Sequence, residues 1–192
     1  LKKMKNNLMR ILDIVISIFF LAILSPLILI ISILIFLIDG RPIIYKQIRI
    51  GYLGKKFKIF KFRTMKNKNI KNKKKRLTKL GKLIRRLSLD EIPQFINVLK
   101  KDMSIVGPRP LPELNEKIIN KKLRIMRRNV LPGITGMSQI NYTGKFRKLE
   151  DKVKLDIKFI QEFSVYNYFK ILIKTPIVLI IRLLKNKSSI IN

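Results

Sequence analysis

From Ile14 to Ile38 the chain runs for 25 consecutive positions without a charged residue. Such a stretch can cross a hydrocarbon core about 30 Å thick, and it is too long for the apolar core of a signal peptide. It also lacks the small residues of a signal-peptidase cleavage site. Ser25-Pro26 falls at its centre, where proline removes a backbone hydrogen bond and kinks a helix. Both flanks are basic, with Lys2, Lys3, Lys5 and Arg10 before the run and Arg41, Lys46 and Arg49 after it. Basic flanks favour the cytoplasmic side, so both ends ask for the same face. A helix that enters, bends at Ser25-Pro26 and returns meets both observations. A kinked spanning helix meets the first, since proline is tolerated in such helices. Asp13, at the edge of the run, reads as an interfacial residue paired with Arg10 or a later cation.

The chain as a whole is unusual in its charge. Among 192 residues, 43 are Lys or Arg and 11 are Asp or Glu, a net charge of +32, while 47% are hydrophobic. A disordered polycation lacks apolar residues on this scale. The combination suits one domain with a real core that meets a polyanion, either nucleic acid or an anionic membrane face. Cys and His are both absent, which excludes disulfides and thiolate metal sites and argues against a zinc enzyme. A nucleophile, general base or metal ligand must therefore be sought mainly among a few carboxylates. A divalent ion would be a hard one held by oxygen, such as Mg²⁺.

Local patterns predict the other elements. Asp39-Gly40-Arg41-Pro42 is a turn that ends the apolar helix. Ile43–Ile50 and Lys56–Phe62 flank Gly51–Gly54 as a β-hairpin. Residues 66–76 form a Lys/Asn run, a solvated loop or a contact for anionic headgroups. Leu77, Leu80, Leu83, Ile84 and Leu87 have helical spacing with basic residues between them, a basic amphipathic helix. A helix follows Pro93 to about Lys100. Helices are also expected over Glu113–Asn129 and Leu149–Phe163, and an interfacial one over Ile171–Leu184. Leu131–Gly136 reads as a loop, and Ser138–Tyr142 as short and extended. The expected architecture is an α-rich, membrane-associated α+β fold: a bent apolar helix over 1–40, re-entrant or spanning, a cytosolic domain over 41–185 and a tail over 186–192.

Asp90-Glu91 stands out in a chain so poor in carboxylates. One could attack as a nucleophile while the other holds Mg²⁺ or a proton. Alternatively, Ser88 or Asp90 caps the helix that starts near Pro93. Arg109 sits in Gly107-Pro-Arg-Pro110, where flanking prolines stiffen the loop. It suits bidentate phosphate binding, or else a surface ion pair such as one with Asp102. Lys61 and Arg63 offer two more cations at a strand end. Pro132-Gly-Ile-Thr-Gly136 could approach a ligand closely.

Taken together, Lys61-Phe-Arg-Thr-Met65, Ser88-Leu-Asp-Glu-Ile-Pro-Gln94, Asn97-Val-Leu-Lys100, Met103-Ser-Ile-Val-Gly-Pro-Arg-Pro110 and Pro132-Gly-Ile-Thr-Gly136 resemble the bacterial sugar transferases, the monotopic phosphoglycosyl transferases. The resemblance runs from about Arg10 to Thr175, and the chain looks like the minimal form of the family. It implies that a sugar 1-phosphate passes from a UDP-sugar to polyprenyl phosphate with release of UMP, through a phosphosugar on Asp90. Glu91 would assist Mg²⁺ binding or acceptor deprotonation, with Asp90 and Glu91 as the metal's ligands. Arg109, Arg85, Lys61 and Arg63 would serve the phosphates. Ser25-Pro26 matches the family's re-entrant break, so the resemblance implies a re-entrant membrane helix over 1–40 and a cytosolic catalytic domain over 41–185. The partners implied are a UDP-sugar, polyprenyl phosphate and the inner bacterial membrane, with the site on its cytoplasmic face and no nucleic acid. The chain departs from the family pattern at Tyr142-Thr143, Leu149 and Tyr168, which bears on sugar specificity. The alternative is a membrane-anchored basic module for nucleic acid or anionic lipid, which leaves Asp90-Glu91 without a task.

Overall fold

The computed structural model describes residues 2–66, 77–141 and 148–188. Residues 67–76 of the Lys/Asn run, Tyr142-Thr143 and residues 189–192 of the tail lie outside the described residues. Helix α1 (Lys2–Ile23) and helix α2 (Ser25–Asp39) meet at Leu24 with a bend of 61°. Pro26 has no N–H for the Ala22 carbonyl four residues back, and Ser25 Oγ donates to that carbonyl at 2.7 Å instead. The serine thus satisfies the acceptor that the proline orphans. At about 1.5 Å per residue α2 is some 22 Å long, short of a bilayer core. Among the described residues no single helix is long and apolar enough to cross a membrane, whereas the bent pair together has the length and composition.

The hairpin forms as predicted, from strands β1 (Ile44–Ile50) and β2 (Lys56–Phe62), antiparallel from Ile44 opposite Phe62 to Ile50 opposite Lys56. Arg63, just beyond β2, is not free to meet a phosphate. Its buried guanidinium donates to the carbonyls of Asp39, Gly40 and Arg41. Those are acceptors at and just past the end of α2, which a helix leaves unpaired. The expected phosphate role of Arg63 is therefore replaced by a cap on the apolar helix. Thr78 Oγ1 donates to Asp39 at 2.9 Å and accepts from Gly81 N at 2.8 Å, so one residue joins α2 to helix α3 (Lys79–Arg86). A Cβ at Gly81 would stand 2.1 Å from the Thr64 carbonyl oxygen, so α3 lies directly against the chain leaving β2.

After α3 come helix α4 (Gln94–Leu99), strand β3 (Ser104–Val106), helices α5 (Glu113–Ile118) and α6 (Lys121–Arg128), and strand β4 (Gly133–Thr135). Helices α7 (Met137–Ile140), α8 (Leu149–Gln161) and α9 (Val165–Ser188) complete the order. Three local expectations change. The helix expected over Glu113–Asn129 is two, because Ile119 turns extended and the Asn120 side chain accepts from Lys122 N to start afresh. The expected loop Leu131–Gly136 contains β4, paired in parallel with β3. The expected extended piece from Ser138 is helix α7, whose Gln139 and Ile140 amides both donate to the Gly136 carbonyl.

The main core gathers Met9, Ile59, Val98, Met103, Ile105, Phe159, Tyr168 and Ile171, so α1 packs with β2, α4, β3, α8 and α9. Asp13 is not interfacial. It is buried, and its Oδ1 accepts from Ile105 N at 2.9 Å and from the Tyr168 hydroxyl at 2.6 Å. Arg10 turns instead to the Val98 carbonyl at 2.6 Å. Outward faces of α1, α2 and α9 remain apolar, with Ile11, Ile18, Leu29, Leu37, Ile173 and Ile180 each more than half exposed.

Candidate active site

Asp90 and Glu91 lie in a single 3-10 turn, Leu89–Glu91, between α3 and α4. Ser88 enters it with φ 57°, a left-handed conformation that reverses the chain. Neither Ser88 nor Asp90 caps α4, whose N-cap position is Pro93 with no side-chain cap bond. The cap alternative is therefore not what the acidic pair does.

β2 brings Lys61 to this turn, and the loop after β3 brings Arg109. Glu91 Oε1 accepts from Lys61 Nζ at 2.5 Å and from Arg109 Nη2 at 2.7 Å. Arg109 thus pairs with Glu91 rather than Asp102. Asp90 is held more loosely. Among the described residues its one ion pair is a 3.7 Å contact from Oδ2 to Lys61 Nζ. Arg85, from the last turn of α3, bonds Thr64 Oγ1 at 2.7 Å through Nε and adds its positive charge near Asp90. Lys61, Arg85, Asp90, Glu91 and Arg109 therefore come together from distant segments, and Arg63 does not join them.

The adjacent carboxyls titrate in opposite directions. Burial pushes Glu91 up, but Arg109 and Lys61 together outweigh it and hold it down at about 2. Burial also pushes Asp90 up; Lys61 opposes this, the Glu91 charge adds to it, and the net shift is upward. Arg109 is in turn held more firmly protonated by Glu91.

Residues that sequence reasoning passed over position Arg109. Buried Arg127 donates through Nη2 to the Arg109 carbonyl at 2.7 Å and pairs with Glu116 at 2.9 Å and Asp156 at 3.1 Å. Burial raises Asp156 to about 6 against the pull of Arg127. The scarcity of acidic residues was a usable signal here, since Glu116 and Asp156 are two of only 11. The Pro132–Gly136 segment packs on its own chain at Gly133, while its Ile134 and Thr135 line a cavity beside Glu91. A Cβ on Gly133 would lie 2.1 Å from Gly107 N, and that amide donates to the Thr135 carbonyl at 2.9 Å. Of the departures from the family pattern, Tyr168 is buried against Asp13, and Leu149 lines a cavity of about 940 Å³ that reaches Glu91 and Arg109.

For a metal, this site offers carboxylate oxygens only. Among the described residues no cluster of three or more His, Cys, Asp or Glu exists. Mg²⁺ is commonly held by one or two carboxylates plus substrate phosphates, so a two-carboxylate set fits it. Asp90 is the freer donor, because Glu91 already serves two cations.

The family model described as bacterial sugar transferase matches residues 4–182. The chain is 39% identical over 178 residues to the UDP-glucose:undecaprenyl-phosphate glucose-1-phosphate transferase of Escherichia coli (strain K12), which covers 85% of this chain and 38% of that protein. It is 41% identical over 173 residues to the uncharacterized sugar transferase EpsL of Bacillus subtilis (strain 168), with 88% and 85% covered. It is 33% identical over 174 residues to the UDP-N-acetylgalactosamine-undecaprenyl-phosphate N-acetylgalactosaminephosphotransferase of Aeromonas hydrophila, with 85% and 41% covered. The chain thus spans less than half the length of two of these relatives and most of the third.

Proposed function

The chain belongs to the bacterial sugar transferase family, and on that premise we propose that it moves a sugar 1-phosphate from a UDP-sugar to polyprenyl phosphate at the cytoplasmic face of a bacterial membrane. The names of the Escherichia coli and Aeromonas relatives support the reaction class. The observation that carries the residue assignment is the unequal pairing of the two carboxylates. Glu91 is locked between Lys61 and Arg109, and Asp90 keeps only the long Lys61 contact.

Asp90 is accordingly the nucleophile. Its carboxylate oxygen forms a bond to the phosphorus that carries the sugar, the bond from that phosphorus to the UMP oxygen breaks, and UMP leaves with the electron pair. An oxygen of polyprenyl phosphate then attacks the same phosphorus, and the Asp90 carboxylate is released. Lys61, Arg85 and Arg109 surround the centre with cations where negative charge accumulates on the phosphoryl and leaving oxygens. Glu91 anchors Lys61 and Arg109 and so sets their spacing. Asp90 and Glu91 are the residues that would hold Mg²⁺, which would add positive charge at the diphosphate. The outward apolar faces of α1, α2 and α9 support seating in lipid.

Membranes containing the chain, given UDP-sugars, Mg²⁺ and polyprenyl phosphate, should release UMP. Asp90→Asn should abolish release while the protein stays in the membrane fraction. Turnover retained in that variant would remove Asp90 as nucleophile, and no UMP from any UDP-sugar would remove the reaction.

A further inference from the structure

The loop that carries Arg109 is poor in amides of its own. Pro108, Pro110 and Pro112 supply no N–H, so the loop is fixed mainly through its carbonyls, by donors from elsewhere in the fold. Four successive carbonyls are held in this way. Pro108 accepts from Gly133 N at 2.9 Å, Arg109 from Arg127 Nη2 at 2.7 Å, Pro110 from Arg49 Nη1 at 3.2 Å and Leu111 from Ile50 N at 3.2 Å. Two of the four donors are guanidiniums: Arg127 grips the loop from α6, and Arg49 grips the next carbonyl from the end of β1. We propose that Arg49 is a positioning residue for the transfer reaction: its hold on the Pro110 carbonyl sets where the Arg109 guanidinium meets the diphosphate of the UDP-sugar. The inference rests on the reaction proposed above.

In the sequence Arg49 is one of several cations that follow the apolar run. The fold separates it from them. Lys46 is exposed beside the Phe60 ring, whereas Arg49 is partly buried and turns both terminal nitrogens inward. Nη1 meets Pro110, and Nη2 donates to Gln47 Oε1 at 2.6 Å. Gln47 lies two residues back on the same face of β1, so it fixes the orientation of the guanidinium. Nε is buried without a partner. A charge is costly at this place. Burial weakens the hold of Arg49 on its proton and the neighbouring Arg109 charge weakens it further, while Tyr45 and Glu91 act in the opposite sense. A planar fork offsets that cost by spanning Pro110 and Gln47 together, which a lysine ammonium on its single stem does not match. The Ile50 amide already docks β1 on the loop at Leu111, so the strand does not depend on Arg49 for its place. What Arg49 adds is a second pinned peptide unit beside the one that Arg127 holds. Because peptide units are planar, two pinned in succession leave the backbone around Arg109 little freedom to turn.

The test uses the full chain in lipid nanodiscs and measures UMP release against UDP-sugar concentration for Arg49→Gln, Arg49→Lys, Arg109→Gln and the double variant Arg49→Gln with Arg109→Gln. Arg49→Gln should lower kcat/KM roughly tenfold, and Arg49→Lys about as much, because charge without the two-point grip does not aim Arg109. Arg109→Gln should cost about 100-fold or more. The double variant should be no worse than Arg109→Gln alone, since Arg49 acts through Arg109. A smaller folded fraction would multiply with the Arg109 loss instead, so the cycle separates aiming from misfolding. Multiplied losses, or native rates in either Arg49 variant, would overturn the proposal. A second readout needs no substrate. The Ile50 and Gly133 amides donate into the loop, and their hydrogen exchange should quicken severalfold in Arg49→Gln. Unchanged exchange would overturn the grip itself. The two readings fail separately. No UMP from the native chain removes the transfer reaction while exchange still decides whether Arg49 holds the loop, whereas native UMP release in Arg49→Gln removes Arg49 and keeps the reaction.

Discussion

Two carboxylates adjacent in the chain have opposite electrostatic fates, and the difference is one of partners. Glu91 accepts from two cations, so its ionised form is favoured despite burial, and its carboxyl sits at about 2 against an ordinary 4.5. Its contribution to stability is fully present above pH 4.5 and is lost as pH falls toward 2. Glu91→Gln should therefore cost up to about 3 kcal/mol near neutral pH and flatten the acid limb of stability below pH 4.5, read as thermal midpoints in detergent across that range. An unchanged acid limb would deny the double pairing. Asp90 runs the other way. Its raised carboxyl means that the folded state binds the proton more readily than the unfolded one, so its charge weakens the fold at neutral pH. Asp90→Asn should accordingly unfold no earlier than the native chain, while releasing no UMP. A variant that is both inactive and clearly less stable would point to a structural role for Asp90.

At the scale of elements, the short parallel pair β3–β4 does more than its three-residue strands suggest. It fixes the start of the Gly107–Pro110 loop through the Gly107 amide and Thr135 carbonyl, and Arg127 then holds the Arg109 carbonyl. Gly133 makes the pairing possible, because any side chain there would press into the Gly107 backbone. Gly133→Ala should destabilise the protein by about 3 kcal/mol or more and lower UMP release at temperatures where the fold persists. A neutral outcome would show that the two backbones are not in contact. Helix α1 is fastened by a comparable device. Asp13 bonds both the β3 amide of Ile105 and the α9 hydroxyl of Tyr168, which ties the apolar helix to the two elements behind the Arg109 loop.

For the molecule as a whole, the decisive feature is that both ends of the bent pair are tied to one body. α1 shares the main core through Met9, and the end of α2 is capped by Arg63 and joined to α3 by Thr78. A bent pair inserted into a membrane with these ties intact would keep both of its ends on one side, which is the re-entrant arrangement. The native chain has no cysteine, so cysteines introduced at Lys3 and at Lys66 report without background. In sealed vesicles both should react with an impermeant maleimide from the same side. Labelling from opposite sides would defeat the re-entrant arrangement.

The sequence by itself determined whatever depends on neighbours along the chain. The break at Ser25-Pro26, the hairpin and the helix after Pro93 follow from proline chemistry, alternation and spacing. The prominence of Asp90-Glu91 follows from the rarity of acidic residues. The tertiary structure decided how those pieces are used. Whether Asp90 caps a helix or faces a site, whether Arg63 meets phosphate or helix carbonyls, and whether Gly133 meets a ligand or Gly107 are questions of contact across tens of residues. The parallel pairing of β3 with β4, the burial of Asp13 and the Arg127–Glu116–Asp156 cluster are contacts of the same long-range kind. A local pattern sets backbone preference and which face is apolar. A carboxylate's partners, and hence its charge state and its chemistry, are set only when separate segments fold against one another.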